Sequence, residues 1–136
     1  MFSHYLMFGG NCAEALETYS RVFDAQTVEM QRYGDVAAPG FTVAQEQQHL
    51  VLHARLRCDG TELMCADSID RNTPGTNMYV SVTTPDEALV RRVWDELCQD
   101  GHVYMELTPS FFAAAHGSLR DRYGINWMFT ALRPPQ

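Results

Sequence analysis

The chain has 136 residues, 46% of them hydrophobic and 20% charged, a length that suits one domain with a core large enough to need no disulfide staples. A formal charge of −7 argues against nucleic acid, whose binding needs a basic patch, and disfavours anionic membranes, while leaving uncharged small ligands open. The opening FSHYLMFGG has neither a basic n-region nor a full apolar run, and no window nears the ~18 apolar residues of a membrane span, so a cytoplasmic protein is expected.

From the start, Ser3 to Phe8 alternates: Leu6 and Phe8 look toward a core, and Ser3, Tyr5 and Met7 share the opposite face. Gly9-Gly10-Asn11 is a turn with Asn11 placed to cap the helix CAEALETYSRVF, in which Ala13, Leu16, Tyr19 and Phe23 recur at helical spacing. Gln26 to Arg32 reads as an edge strand, and residues 34–47, with Pro39 and Gly40 and no period, as a long loop. His49 to Arg57 is a strand with Leu50, Leu52, Ala54 and Leu56 on one face and His49, Val51, His53, Arg55 and Arg57 on the other. Asp59-Gly60 signals a hairpin, and Glu62 to Asp67 returns with Leu63 and Cys65 inward and Glu62 and Met64 opposite. Residues 68–75 form a polar linker.

The order then begins again. Asn77 to Val82 is a strand with Met78, Val80 and Val82 on one face and Asn77, Tyr79 and Ser81 on the other. Thr84 is placed to cap a helix with Pro85 at its first position, running through Val90, Val93, Trp94 and Leu97 to Gly101. Strands follow at Val103 to Leu107, at Ser118 to Arg122 and at Ile125 to Leu132. Before the last of them, Asp121-Arg122-Tyr123-Gly124 makes a tight turn. Ile125, Trp127 and Phe129 then form a large aromatic face that should pack on a helix, leaving Asn126 and Met128 on a mixed face suited to a small-molecule cavity. Cys12, Cys58, Cys65 and Cys98 lack CxxC pairing and zinc spacing, and read as reduced, packed thiols.

Strand-helix-strand-strand-strand thus occurs twice, split near Pro74. This plan, with YLMFGGNCAEALETY, LHARLRCDGTELMCAD and DRYGINWMF, resembles the PhnB-like branch of the vicinal oxygen chelate superfamily, which includes glyoxalase I, extradiol dioxygenases and bleomycin-resistance proteins. The resemblance covers nearly the whole chain. It implies an α+β, glyoxalase/bleomycin-resistance-like fold: one domain, 1–136, of two βαβββ modules over about 1–72 and 75–136. The branch is often labelled after a ubiquinone methyltransferase, yet no glycine-rich adenosylmethionine loop is present. Carried onto this chain, the superfamily's four metal positions fall on Ser3, Met64, Asn77 and Met128. A hydroxyl, a carboxamide and two thioethers are a poor set for a divalent cation, so neither metal nor other cofactor is expected.

His53, Arg55 and Glu62 are the polar candidates for a ligand site, because the strand and hairpin bring them to one wall able to hold an anionic or carbonyl group. They could equally be a satisfied network. His49 and His53 stand two pleats apart, about 13 Å, too far to chelate one ion. Tyr5, Met7, Met64, Tyr79, Phe112 and Met128 would supply apolar surface. The segment Glu106 to Ala115 matches one that reaches over the cavity mouth in the family, and Phe111 and Phe112 in it should cover either a ligand or a partner subunit. The leading expectation is a metal-independent small-molecule-binding protein, a homodimer, with no nucleic-acid or membrane partner. No acid-base pair is assembled in the sequence and no catalytic residue is assigned, but a lyase, isomerase or dioxygenase using a lone Glu62 or His53 is the alternative. A structural dimer with a vestigial pocket is the third reading.

Overall fold

The structure, a computed structural model, describes residues 1–36 and 42–135; residues 37–41, in the middle of the expected long loop, lie outside the described residues. The chain forms two compact units, Met1–Thr73 and Pro74–Gln136. The first holds β1 (Tyr5–Phe8), α1 (Cys12–Phe23), β2 (Gln26–Arg32), β3 (Val51–Cys58) and β4 (Thr61–Asp67). The second holds β5 (Val80–Thr84), α2 (Glu87–Leu97), β6 (His102–Thr108), β7 (Ala115–Arg120) and β8 (Asn126–Ala131). The sheets run β1-β4-β3-β2 and β5-β8-β7-β6. In each, the strand before the helix lies parallel to the last strand and the other pairs are antiparallel. This is the expected α+β arrangement of two βαβββ modules.

Each unit builds its core between one helix and one sheet face. In the first, Leu6 and Phe8 of β1 and Ala54, Leu56 and Cys65 of the hairpin are buried with Cys12, Ala15, Leu16, Tyr19 and Val22 of α1. The buried stripe therefore runs through Cys12, Ala15 and Val22, with Ala13 and Phe23 at its margins. In the second, Val90, Val93, Trp94 and Leu97 of α2 are buried, as are Leu119, Trp127 and Phe129. The Trp94 ring meets Phe129 edge-on at 6.0 Å, so the aromatic face of β8 does pack on a helix.

The structure corrects several local expectations, each for a visible reason. Asn11 precedes α1 but makes no side-chain cap; the buried Asp67 accepts from Gly10 N and Cys12 N at 3.0 and 2.9 Å instead. Asp86, not Thr84, caps α2, its Oδ1 accepting from Leu89 N at 3.0 Å, and Thr84 is the last residue of β5. That strand starts at Val80 rather than Asn77, because Asn126 Nδ2 donates to Gly75 O and Met78 O and holds the preceding segment as a loop. Met78 is consequently 74% exposed rather than inward.

Val51 also turns inward. A register shift between Gln31 and Arg32 breaks the alternation of β3, and Val51 N is drawn onto Asp67 Oδ2 at 2.9 Å. His102 opens β6 and His116 lies in β7, both outside the strands expected at Val103 to Leu107 and Ser118 to Arg122. Gly117 looks like a strand breaker, but a Cβ there would stand 2.9 Å from Leu107 Cα and from Met105 O, so this tightly paired strand requires glycine.

Candidate functional site

On the face of the first sheet opposite α1, one row crosses four strands: Tyr5 on β1 is paired with Met64 on β4, Met64 with Arg55 on β3, and Arg55 with Glu29 on β2. Met7 lies one pleat from Tyr5 on the same edge strand, and both are nearly half exposed. The Tyr5 hydroxyl reaches diagonally to His53 Nδ1 at 2.7 Å, the rings tilted and 5.7 Å apart. Burial pushes the Tyr5 phenol above its ordinary range, so it remains protonated and is the natural donor of this bond.

The arginines of β3 are already matched by carboxylates. Arg55 Nε donates to Glu29 at 2.7 Å and its Nη1 to Glu62 at 3.0 Å, while Arg57 Nη2 donates to Glu62 at 2.8 Å. Arg57 first, and then Arg55, holds the Glu62 carboxyl below the usual glutamate range against a smaller opposing effect of burial. Glu29 and then Glu62 raise Arg55. Two cations facing two carboxylates form a balanced ladder, which leaves His53 and Tyr5 as the polar pair beside the apolar Met7 and Met64. Glu29 was not among the sequence candidates; only the β2–β3 register, which sets it beside Arg55, brings it in.

The structure thus gathers Tyr5, Met7, His53, Arg55, Glu62 and Met64 on one unit. Tyr79, Phe112 and Met128 belong to the other. Met128 is half-buried on β8 between Ser81 and Ser118. Tyr79, just ahead of β5, meets Tyr104 edge-on at 6.0 Å, and the Tyr104 hydroxyl donates to Asn126 Oδ1 at 2.9 Å. Phe112, between β6 and β7, stands 4.9 Å from the His116 ring and 5.1 Å from Phe111. His116 Nδ1 lies 3.0 Å from Thr130 Oγ1, a contact hidden in the sequence because His116 precedes the strand expected from Ser118. A shallow groove between α1 and β2, lined by Glu17, Arg21, Gln26 and Val28 among others, holds none of the candidates.

The superfamily metal positions offer one hydroxyl and one thioether in the first unit, Ser3 and Met64, and one carboxamide and one thioether in the second, Asn77 and Met128. Among the described residues, no three His, Cys, Asp or Glu side chains stand together as a metal-binding group. These donors do not fit a divalent cation. The cysteines are all free thiols: Cys12 and Cys65 are fully buried, and Cys58 and Cys98 are partly so. Contact with the Cys65 thiol, together with burial, drives Cys12 far above the ordinary thiol range, which leaves it inert rather than nucleophilic.

Residues 1–130 match the family model described as 3-demethylubiquinone-9 3-methyltransferase. The crystal structure of PA1353 from Pseudomonas aeruginosa is 28% identical, with 98% of each chain covered and a TM-score of 0.88. A putative 3-demethylubiquinone-9 3-methyltransferase, PhnB protein, from Bacillus cereus is 34% identical, covering 95% of this chain and 97% of its own, with a TM-score of 0.77. A variant of the fosfomycin resistance protein FosX from Listeria monocytogenes, complexed with Mn(II) and a dihydroxypropylphosphonic acid, is 10% identical over 96% of this chain and 91% of its own. Its TM-score of 0.61 establishes the shared fold alone.

The methyltransferase description implies adenosylmethionine, which needs a loop or sheet crevice able to hold it. β1, Gly9-Gly10 and α1 do follow one another as strand, glycine turn and helix, the order of a nucleotide-binding loop. Here the amides at the start of α1 are spent on the Asp67 carboxylate, which occupies the position an anionic ligand would take. Among the described residues each sheet has only one parallel pair, so neither offers the switch point of a doubly wound sheet. These residues do not fit that cofactor.

Proposed function

The chain belongs to the 3-demethylubiquinone-9 3-methyltransferase family, and from that membership and the geometry of its sheets we propose that it binds a small organic molecule without metal or adenosylmethionine. The observation that carries this reading is the face of the first sheet opposite α1, where Tyr5, Met7 and Met64 surround the hydroxyl-anchored imidazole of His53. A face that serves only as packing would bury its aromatics and thioethers within its own unit. This one leaves Tyr5 and Met7 nearly half exposed beside a hydrogen-bonding group, the mixture that ligand sites use. Arg55 and Glu62 frame the site rather than hold the ligand, because each is already engaged by the other. Met64 supplies the apolar remainder on the first unit, and Met128, Tyr79 and Phe112 are the corresponding apolar candidates on the second unit's own face. The protein acts in the cytoplasm, and two copies associate.

Native mass spectrometry of untagged protein tests the proposal. A non-covalent small-molecule adduct is expected, lost in Met64→Arg and retained in Arg55→Ala. In Arg55→Ala the melting temperature should fall instead, since a tie between three strands is removed. A bare chain mass, together with failure of uncharged aromatic compounds to raise the melting temperature, would overturn the binding reading.

A further inference from the structure

The two units repeat an arrangement that their sequences do not share. In the first, the pairings set Tyr5 and Arg55 on either side of Met64, and Met7 beside Ala66. In the second, they set Ser81 and Ser118 on either side of Met128, and Thr83 beside Thr130. Met64 and Met128 therefore hold equivalent positions, and so do Arg55 and Ser118 on the third strand of each module. Two residues earlier on that strand, one pleat along the same face, stand His53 and His116. Both rings are half-buried.

The equivalence extends to the atom. Tyr5 OH lies 2.7 Å from His53 Nδ1, and Thr130 Oγ1 lies 3.0 Å from His116 Nδ1. The hydroxyls come from different strands, β1 and β8, so the modules reach the same result with different residues. An aromatic ring flanks each imidazole, Tyr5 at 5.7 Å and Phe112 at 4.9 Å. A hydroxyl donating to Nδ1 fixes the ring and places the imidazole proton on Nε2. No group among the described residues bonds to either Nε2. With the hydroxyls as donors, each face therefore presents one oriented N–H with no partner among the described residues of its own unit.

We infer that His53 and His116 are a repeated pair of ligand anchors, each donating its Nε2 proton to an acceptor oxygen of an uncharged, largely apolar carbonyl compound. This rests on the reading of the sheet faces as binding surfaces. The charge preference follows from the ladder: Arg55 and Arg57 are matched by Glu29 and Glu62, so an anion beside His53 would meet two carboxylates and two arginines already paired with them. On the second face, Arg120 is two pleats from His116, about 13 Å along the strand. The thioethers of Met64 and Met128 beside the two histidines favour an apolar body.

Nuclear magnetic resonance on the full chain, with labelled histidine rings and methionine methyls, tests this using the ketone 2-acetonaphthone and the matched anion 2-naphthoate. The free protein should show both rings as the tautomer with its proton on Nε2. The ketone should move the Met64 and Met128 methyls together with the Nε2 signals of His53 and His116, and naphthoate should bind more weakly. His53→Phe should weaken the response at Met64 by about tenfold, the equivalent of one hydrogen bond, with partial recovery in His53→Gln, which keeps an N–H donor. Undiminished ketone binding in His53→Phe and His116→Phe would overturn the anchors and leave the binding reading standing. Tighter binding of naphthoate would overturn the ligand class, and no response of any methionine methyl to either probe would overturn both.

Discussion

Single residues fix how the strands meet the helices, and the clearest case is Asp67. Its side chain is 1% exposed, yet it is a carboxylate, and it is tolerated because it accepts from three backbone amides: Gly10 and Cys12 at one oxygen and Val51 at the other. One group thereby joins the start of α1 to the start of β3. Asp121 does comparable work in the second unit, accepting from Tyr123 N and Ile125 N at Oδ1 and from the Trp127 indole at Oδ2. Asp67→Ala would strand three amides, so a loss of roughly 3 kcal/mol or more is expected in urea denaturation. Asp67→Asn, which keeps one carbonyl oxygen, should fall between. A change of less than about 1 kcal/mol in the alanine variant would show that water satisfies these amides as well as the carboxylate does.

At the scale of elements, Glu29, Arg55, Glu62 and Arg57 lace β2, β3 and β4 together across the sheet. Glu62 is held below its ordinary value, chiefly by Arg57, so its contribution has a definite sign with pH. The stability it adds is complete above the unfolded glutamate range, about pH 4.3, and is lost as pH falls through its own lower value. Urea midpoints measured from about pH 6 to about pH 3 should decline less steeply in Glu62→Gln than in the parent; parallel curves would mean that the ladder is too well solvated to matter. Half of the ladder was legible beforehand, because alternation put Arg55 and Glu62 on one face and Asp59-Gly60 turned the hairpin. Glu29 was not, since a long loop separates β2 from β3 and no local signal sets their register. The same limit explains the moved boundaries. Periodicity identified β5 and β7, but Asn126 holding the Gly75 and Met78 carbonyls and the close approach behind Gly117 are long-range facts that no window of sequence contains.

For the whole molecule, association with a further chain turns on the strand edges and the apolar side chains beside them. Each four-stranded sheet ends in two edges, β1 and β2 in one and β5 and β6 in the other. Unpaired edges invite further strand pairing, and apolar side chains gathered beside one add a hydrophobic incentive. β6 and the turn after it carry such a group: Met105 is 55% exposed, Phe111 95% and Phe112 48%. Of these, Phe112 lies against His116 and belongs with the proposed ligand face, whereas Phe111 touches it only through Phe112. Phe111 is therefore the residue to assign to a second copy of the chain, which also fits a closed two-fold contact, in which each copy offers the same patch. Light scattering at micromolar concentration should give twice the 15.4 kDa chain mass. Phe111→Asp should shift it toward the single chain without altering the ketone response at Met64. A monomer mass for the parent protein would refute the association, and an unchanged dimer in Phe111→Asp would move the interface elsewhere on the edges.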